Sequence, residues 1–428
     1  MKIIFHGAAR EVGKSCIEIQ TDGQRYILDA GVKFVYKGIE YPKYLDNVHE
    51  LDGVFISHAH LDHSGALPML EHKRLNCPIY LTKLTWKITN ELLEDSYHLE
   101  LLKHVHPAYV ERDIHLVEHD LEFVKYDKEY FTKDKKISFQ FLNSGHIPGG
   151  ASILMNVEGK KLLYTADINT EDTLLMVPSL AEQLQGIDIL ITENTYGERK
   201  HPDRKATEEG FLSSVKEGLA GGGSVLIPVF SVGRAQEVLM LLARENIDAP
   251  IYLDGMPRRI MDIVMQSNDP YINNRELLES AADKAIYVHK HHREEICKRK
   301  GLIIVSSSGM VQGGPSVFYA EHMIHDKNNF LLLTGFQASG TTGRSLFEDH
   351  VFYHKGKKIP VQCHVRKFDF SAHYGQDSII NLQRKINAKH LILQHGDLDA
   401  LEAARNFAEK NTKSKVYVPE VGEEIIID

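Results

Sequence analysis

The stretch Gly53-Val54-Phe55-Ile56-Ser57-His58-Ala59-His60-Leu61-Asp62-His63 decides the fold. Its first half is an apolar run opened by glycine, the pattern of a short buried strand. Its second half places three histidines and an aspartate within six residues, a density for which core packing has no use. His58 and His60 stand two apart, and extended backbone sends such side chains to one side, where both reach one ion. Asp62 and His63 follow at the turn into a helix expected over Ser64–Leu70, and they can face a second point nearby. Imidazole and carboxylate suit zinc, whose ligand distances of about 2.0–2.2 Å demand tight clustering. Two ions roughly 3.5–4 Å apart need more ligands than this segment holds, and one that bridges.

Working outward, the missing ligands sit at the ends of other expected strands. His146 follows a strand over Ile137–Leu142, Asp167 ends Lys161–Thr165, and His395 ends His390–Gln394. A lone histidine or strand-end aspartate is more often a surface or capping residue; these three gain meaning because the cluster needs partners. Before the cluster, Ser15–Gln20 and Arg25–Asp29 alternate around Asp22-Gly23, a good hairpin signal. Further strands are expected at Ser152–Val157 and Ile187–Thr192, with a helix over Thr82–Leu102. The first part is thus mixed α/β with chemical residues just past its strands, where sites of α/β sheets gather.

From about Tyr196 the texture changes. Helices expected over Thr207–Ala220 and Val232–Asn246 alternate with strands at Ser224–Val229, Ile251–Asp254, Leu302–Ser306 and Asn329–Thr334, which predicts a parallel sheet with helices on its faces. After about Pro360 short strands return, at Val361–Arg366 and then at His390–Gln394. We therefore expect two domains, one made of residues 1–195 and 360–428 and one inserted over 196–359.

A chain of 428 residues can bury two cores. The four cysteines, Cys16, Cys77, Cys297 and Cys363, are scattered without a CxxC pair, so metal must be held by histidine and carboxylate. The formal net charge of −9 argues against an indiscriminate nucleic-acid coat but leaves room for a basic groove. The first residues enter a strand-like run rather than a secretory signal, and no apolar run reaches the ~18–20 residues of a membrane span. The expectation is a cytoplasmic protein with no membrane partner.

With these residues in place, the sequence resembles the metallo-β-lactamase superfamily, in its β-CASP ribonuclease branch. The likeness covers nearly the whole chain. Leu28-Asp29-Ala30-Gly31 looks like the first motif, His58–His63 the second, His146 the third and Asp167 the fourth. Glu193 in Ile191–Gly197 matches motif A, His373 in Phe370–His373 motif B, and His395 in Gln394–Asp397 motif C. Pro228–Glu237, Ser307–Met310 with Gly313–Pro315, and Gly335–Arg344 look like hallmarks of the insert. Gly145–Gly149, together with a first motif near residue 1, is most similar to the short archaeal group related to the cleavage and polyadenylation specificity factor nuclease and to ribonuclease J, without KH domains. Asp397 departs from the Glu common after the motif C His-Gly, and Val311-Gln312 also departs; neither is an expected ligand.

The resemblance implies an αββα metallo-β-lactamase sandwich with an inserted α/β β-CASP domain of parallel-sheet type. It implies two Zn2+ per chain. One would take His58, His60, His146 and Asp167; the other would take Asp62, His63, His395 and a bridging Asp167. Two cations would activate a shared water, which Asp62 could orient. His373 would act as general acid, held by Glu193, and Asp29 would brace the cluster from behind. Ser231, Arg234, Ser307, Thr341, Arg344 and Ser371 would hold substrate phosphates. The implied partner is single-stranded RNA, cut by endonuclease or 5′→3′ exonuclease action in RNA processing or decay to leave 5′-phosphate and 3′-hydroxyl ends. A DNA nuclease of the same branch and a non-catalytic scaffold of an RNA-processing complex are the alternatives. Intact histidines at motif C and in the ligand set count against both. Glu423–Asp428 reads as a last strand or as an edge that pairs in a homodimer, with the dimer preferred.

Overall fold

The structure, a computed structural model, describes residues 1–428 except Tyr36, Lys37, Asn47, Lys103 and Ser339. Ser339, within the expected Gly335–Arg344 motif, lies outside the described residues. The chain divides into two compact units: Met1–Asp172 with Val177–Lys200 and His373–Asp428, and Thr173–Met176 with His201–Ala372.

The first unit is built on two seven-stranded sheets. In one the strand order is Glu424–Ile426, Lys2–Phe5, Ile17–Thr21, Gln24–Leu28, Gly53–Phe55, Ile79–Thr82 and Leu121–Val124. In the other it is Lys415–Tyr417, His390–Gln394, Ile189–Glu193, Lys160–Tyr164, Ala151–Val157, Ser138–Asn143 and Tyr130–Phe131. Alternation along the strands supplies one face of each sheet to a shared core, where Phe5, Ile19, Tyr26 and Phe55 meet Phe139, Ile153, Tyr164 and Ile191. The opposite face of the first sheet buries Ile27, Val54 and Leu81 with Leu67, Leu70 and Trp86 from helices. The second sheet buries Leu163, Leu190 and Leu393 with Leu382 and Leu401. The result is the αββα sandwich.

The second unit holds a six-stranded sheet, all parallel, in the order Ala285–Tyr287, Ile251–Asp254, Ile303–Ser306, Val225–Pro228, Phe330–Leu333 and His364–Lys367. Every residue of its four central strands is buried, so both faces are covered, as parallel sheets require.

Two of the local differences from expectation have a visible cause. The helix expected over Ser64–Leu70 is two short ones, Leu61–Ser64 and Leu67–His72. The break falls at Gly65, where a Cβ would stand 2.7 Å from the Val32 side chain. Asp62 and His63 therefore sit within a first helical turn rather than before it. The strand expected at Val361–Arg366 begins only at His364, because the backbone N–H groups of Gln362 and Cys363 both turn to the Ile324 carbonyl.

Candidate metal centre

Five strand ends of the first unit carry the chemistry, those of Gly53–Phe55, Ser138–Asn143 (which leads to His146), Lys160–Tyr164, Ile189–Glu193 and His390–Gln394. Residues beyond Phe55 stay extended: Ile56 N–H donates to the Tyr80 carbonyl, and the Ser57 carbonyl accepts from Ala151 N–H of the other sheet at 2.9 Å. His60 then caps the turn Leu61–Ser64, its carbonyl accepting from the His63 and Ser64 N–H groups. Asp167 lies just past Lys160–Tyr164, after Ala166 in a left-handed conformation (φ 49°). Glu193 and Gln394 pair in register on adjacent parallel strands, so His395 (φ 50°) leaves its strand beside Glu193. Tyr374 N–H donates to the Ile168 carbonyl, which sets His373 next to Asp167.

These ends bring their ligand atoms together in three groups, each within 4.8 Å: His58, His60, His146 and Asp167; Asp62, His63 and His395; and Asp167, Glu193 and His373. Asp167 divides between them. Its Oδ2 lies 3.6 Å from both His58 Nε2 and His146 Nε2, and its Oδ1 lies 3.3 Å from His63 Nε2 and 3.4 Å from His395 Nδ1. His395 Nε2 in turn stands 3.4 Å from Asp62 Oδ2.

The donor set fits metal ions. Nε2 of His58, His63 and His395, with Asp167 Oδ1, are buried and make no hydrogen bond. Orphaned polar atoms in an interior are destabilising unless something unseen satisfies them. On each of these rings the other nitrogen is held: His58 Nδ1 is 3.0 Å from Ser57 Oγ, His63 Nδ1 is 2.7 Å from Asp29 Oδ2, and His395 Nδ1 is 3.3 Å from Thr195 Oγ1. A ring that donates through Nδ1 presents a lone pair at Nε2. His60 Nδ1 and His146 Nε2 approach to 3.2 Å, close to the roughly 3.3 Å between two nitrogens sharing one tetrahedral zinc at 2.0–2.1 Å.

The electrostatics of the bare cluster are strongly polarised. Burial, reinforced by the charge of His63, holds His58 neutral, well below the ordinary imidazole range. Burial also opposes charge on His63, but Asp167, Asp29 and Asp62 overcome it and lift its pKa well above that range. Asp167 resists burial and is held far below the usual carboxylate range by His395, His63 and His373. His373 likewise overcomes burial through Glu193 and Asp167, and its pKa rises to about 9. Glu193 Oε1 is the pivot, accepting from His373 Nδ1 at 2.9 Å and from Ile168 N–H at 3.0 Å.

Asp29, also left-handed at φ 59°, lies behind the cluster, where its carboxylate meets Ser57, His63 and Tyr164. Ser57, Tyr164 and Thr195 had no place in the sequence reading. The signal available for Ser57 was its position between a buried strand and the first ligand. The expected phosphate-holding residues lie in the second unit, at the carboxyl ends of four adjacent strands. Ser231 and Arg234 follow Val225–Pro228, Ser307 follows Ile303–Ser306, Thr341 and Arg344 follow Phe330–Leu333, and Ser371 follows His364–Lys367. Thr341 caps the helix Thr342–Glu348, and Arg344 Nε donates to Glu348 at 2.9 Å, so both also have structural work.

Family comparison agrees with this fold. A metallo-beta-lactamase superfamily domain matches residues 18–193, a Beta-Casp domain 235–346, and a Zn-dependent metallo-hydrolase RNA specificity domain 358–419. The chain belongs to the β-CASP ribonuclease branch of the metallo-β-lactamase superfamily. It is 40% identical over 433 residues to the Probable RNase MJ4 of Methanocaldococcus jannaschii, covering 100% of each chain. It is 34% identical to the RNase aCSPSF2 of Saccharolobus solfataricus, over 98% of this chain and 84% of that one. Ribonuclease TTHA0252 of Thermus thermophilus is 29% identical, over 94% and 95%. A crystal structure of a protein of unknown function from Enterococcus faecalis V583 shares the fold, with a TM-score of 0.66 at 15% identity over 100% of this chain and 99% of that one.

Proposed function

We propose that this chain is a zinc-dependent ribonuclease that hydrolyses phosphodiester bonds of single-stranded RNA, leaving a 5′-phosphate and a 3′-hydroxyl. The observation that carries the reading is the division of Asp167, one oxygen toward His58 and His146 and the other toward His63 and His395, with unsatisfied imidazole nitrogens on both sides. His58, His60, His146 and Asp167 would hold one ion, and Asp62, His63, His395 and Asp167 the other. Two divalent ions there would supply an activated water at neutral pH and neutralise phosphate charge. The chain's residues do the rest. Asp62, with a side chain 30% exposed, orients the attacking water. His373, with a side chain 20% exposed, delivers a proton to the leaving 3′-oxygen, and Glu193 keeps its ring oriented and charged. Asp29 braces His63. The relatives named as ribonucleases support RNA as the substrate; a place in an RNA-processing complex is a further part of the proposal. In the inserted domain, for which we keep residues 196–359, Ser231, Arg234, Ser307, Thr341 and Arg344 would grip the phosphate backbone, joined by Ser371 from beyond its end.

The test is cleavage of RNA labelled at either end, beside DNA of the same sequence, with the zinc content of each preparation measured. His373→Ala is expected to keep its zinc and lose about 10²–10⁴-fold in rate. Cleavage at the wild-type rate would remove the general-acid role. Asp167→Ala is expected to lose metal, and full retention contradicts the bridge. A homodimer through the edge strand Glu424–Ile426 is a further proposal, supported by its place at the end of the first sheet. Light scattering that gives a monomer mass would end it.

A further inference from the structure

We infer that Ser57 is a positioning residue that ties His58 to Asp29, so that one buried carboxylate steadies a ligand in each half of the centre. The inference rests on the two-ion reading above. Asp29 Oδ1 accepts from Ser57 N–H at 2.8 Å. Its Oδ2 accepts from Ser57 Oγ at 2.9 Å, from His63 Nδ1 at 2.7 Å and from the Tyr164 hydroxyl at 2.6 Å. Ser57 Oγ also lies 3.0 Å from His58 Nδ1.

A hydroxyl has one proton and two acceptor lone pairs, whereas an ionised carboxylate only accepts. The Ser57 proton must therefore point to Asp29, and toward His58 the same oxygen can only accept. That fixes the His58 tautomer, with the proton on Nδ1 and the lone pair on Nε2, the orphaned atom that faces Asp167 at 3.6 Å. His63 reaches the same state by direct contact with Asp29. Asp29 thus touches one half of the centre itself and the other through a single oxygen. Asp29, Ser57 and His63 are fully buried and His58 nearly so; the link therefore runs through groups shielded from solvent.

The experiment titrates metal-free protein with Zn2+ against a chromophoric chelator. The wild type is expected to take two ions. In Ser57→Ala one ion should bind about 10–100-fold more weakly, the usual effect of removing a ligand's outer partner, and the other should bind as before. Ser57→Thr, which keeps the hydroxyl, should restore the weakened ion. Asp29→Asn should weaken both. Proton–nitrogen spectra of the zinc-loaded wild type should show protected Nδ1–H signals for His58 and His63, of which Ser57→Ala loses the His58 signal alone. Two ions held by Ser57→Ala at wild-type affinity, or both loosened equally, would overturn the inference. So would a metal-free Ser57→Ala chain that melts well below metal-free wild type, which would make the residue structural. A wild type that takes fewer than two ions sinks the two-ion reading itself, before any variant is compared.

Discussion

Glu18 shows what a lone charge needs to survive inside this fold. It sits fully buried in the strand Ile17–Thr21, and its carboxylate meets His6 Nε2 at 2.9 Å, Gln20 Nε2 at 2.8 Å and Arg25 Nε at 2.7 Å. Burial alone would raise its pKa; hydrogen bonds from His6, Gln20 and Arg25 win and bring it down to about 2. A pKa lower in the folded than in the unfolded chain stabilises fully above the unfolded value, about 4.3, and is lost as pH falls through the folded one. Denaturant unfolding of wild type and Glu18→Gln should therefore differ by a constant amount above about pH 5 and converge towards pH 2. A gap that does not change with pH refutes the assignment. At this scale the legible residues were those whose chemistry is improbable in a core, namely the histidines of 58–63 and their acidic neighbour. Glu18, Ser57, Tyr164 and Thr195 were not legible. A serine or tyrosine in a strand has no distinguishing pattern, and its role depends on which strand end arrives opposite.

Among the elements, local chemistry read well. Asp22-Gly23 does join two strands, with Thr21 paired to Gln24 and both turn residues left-handed (φ 47° and 79°), the geometry that the pair favours. The central strand Ile251–Asp254 has the bounds expected of it, the apolar run Ile251–Leu253 and the aspartate that closes it. Short strands such as Ile79–Thr82 and Leu121–Val124 were not expected, since the first runs straight into the helix Lys83–Leu102 and the second straight out of the helical turn Val117–Asp120. Sheet order was also hidden. Nothing local says that Ile189–Glu193 lies between Lys160–Tyr164 and a strand two hundred residues later, yet that pairing aligns Glu193 with Gln394 and so sets His395 beside it. Helix ends offer a direct check. Asp203 caps Arg204–Ala220, its carboxylate accepting from Ala206 N–H at 2.8 Å. Asp203→Ala should lower stability by about 1 kcal/mol in thermal unfolding, and an unchanged melting curve argues against the cap.

For the molecule as a whole, the two units have separate cores, and all seven candidate ligands belong to the first. Zinc at about a hundred times its dissociation constant should stabilise that unit by about 2.7 kcal/mol per ion, provided the unfolded chain does not bind it. Calorimetry should then show two transitions, one shifted by several degrees on chelation and one unmoved. If both shift together, the units do not unfold independently. The first unit is also discontinuous. His373 and His395 arrive after the entire second unit, and Glu424–Ile426 pairs with Lys2–Ile4 only once the last residues exist. Synthesis runs from the amino end, and a nascent chain folds as it emerges. On the reading proposed here, a growing polypeptide with its first four motifs already translated still has neither its proton donor nor a complete second ion site. A polypeptide released before His373 therefore lacks both, and on that reading it is not yet a nuclease.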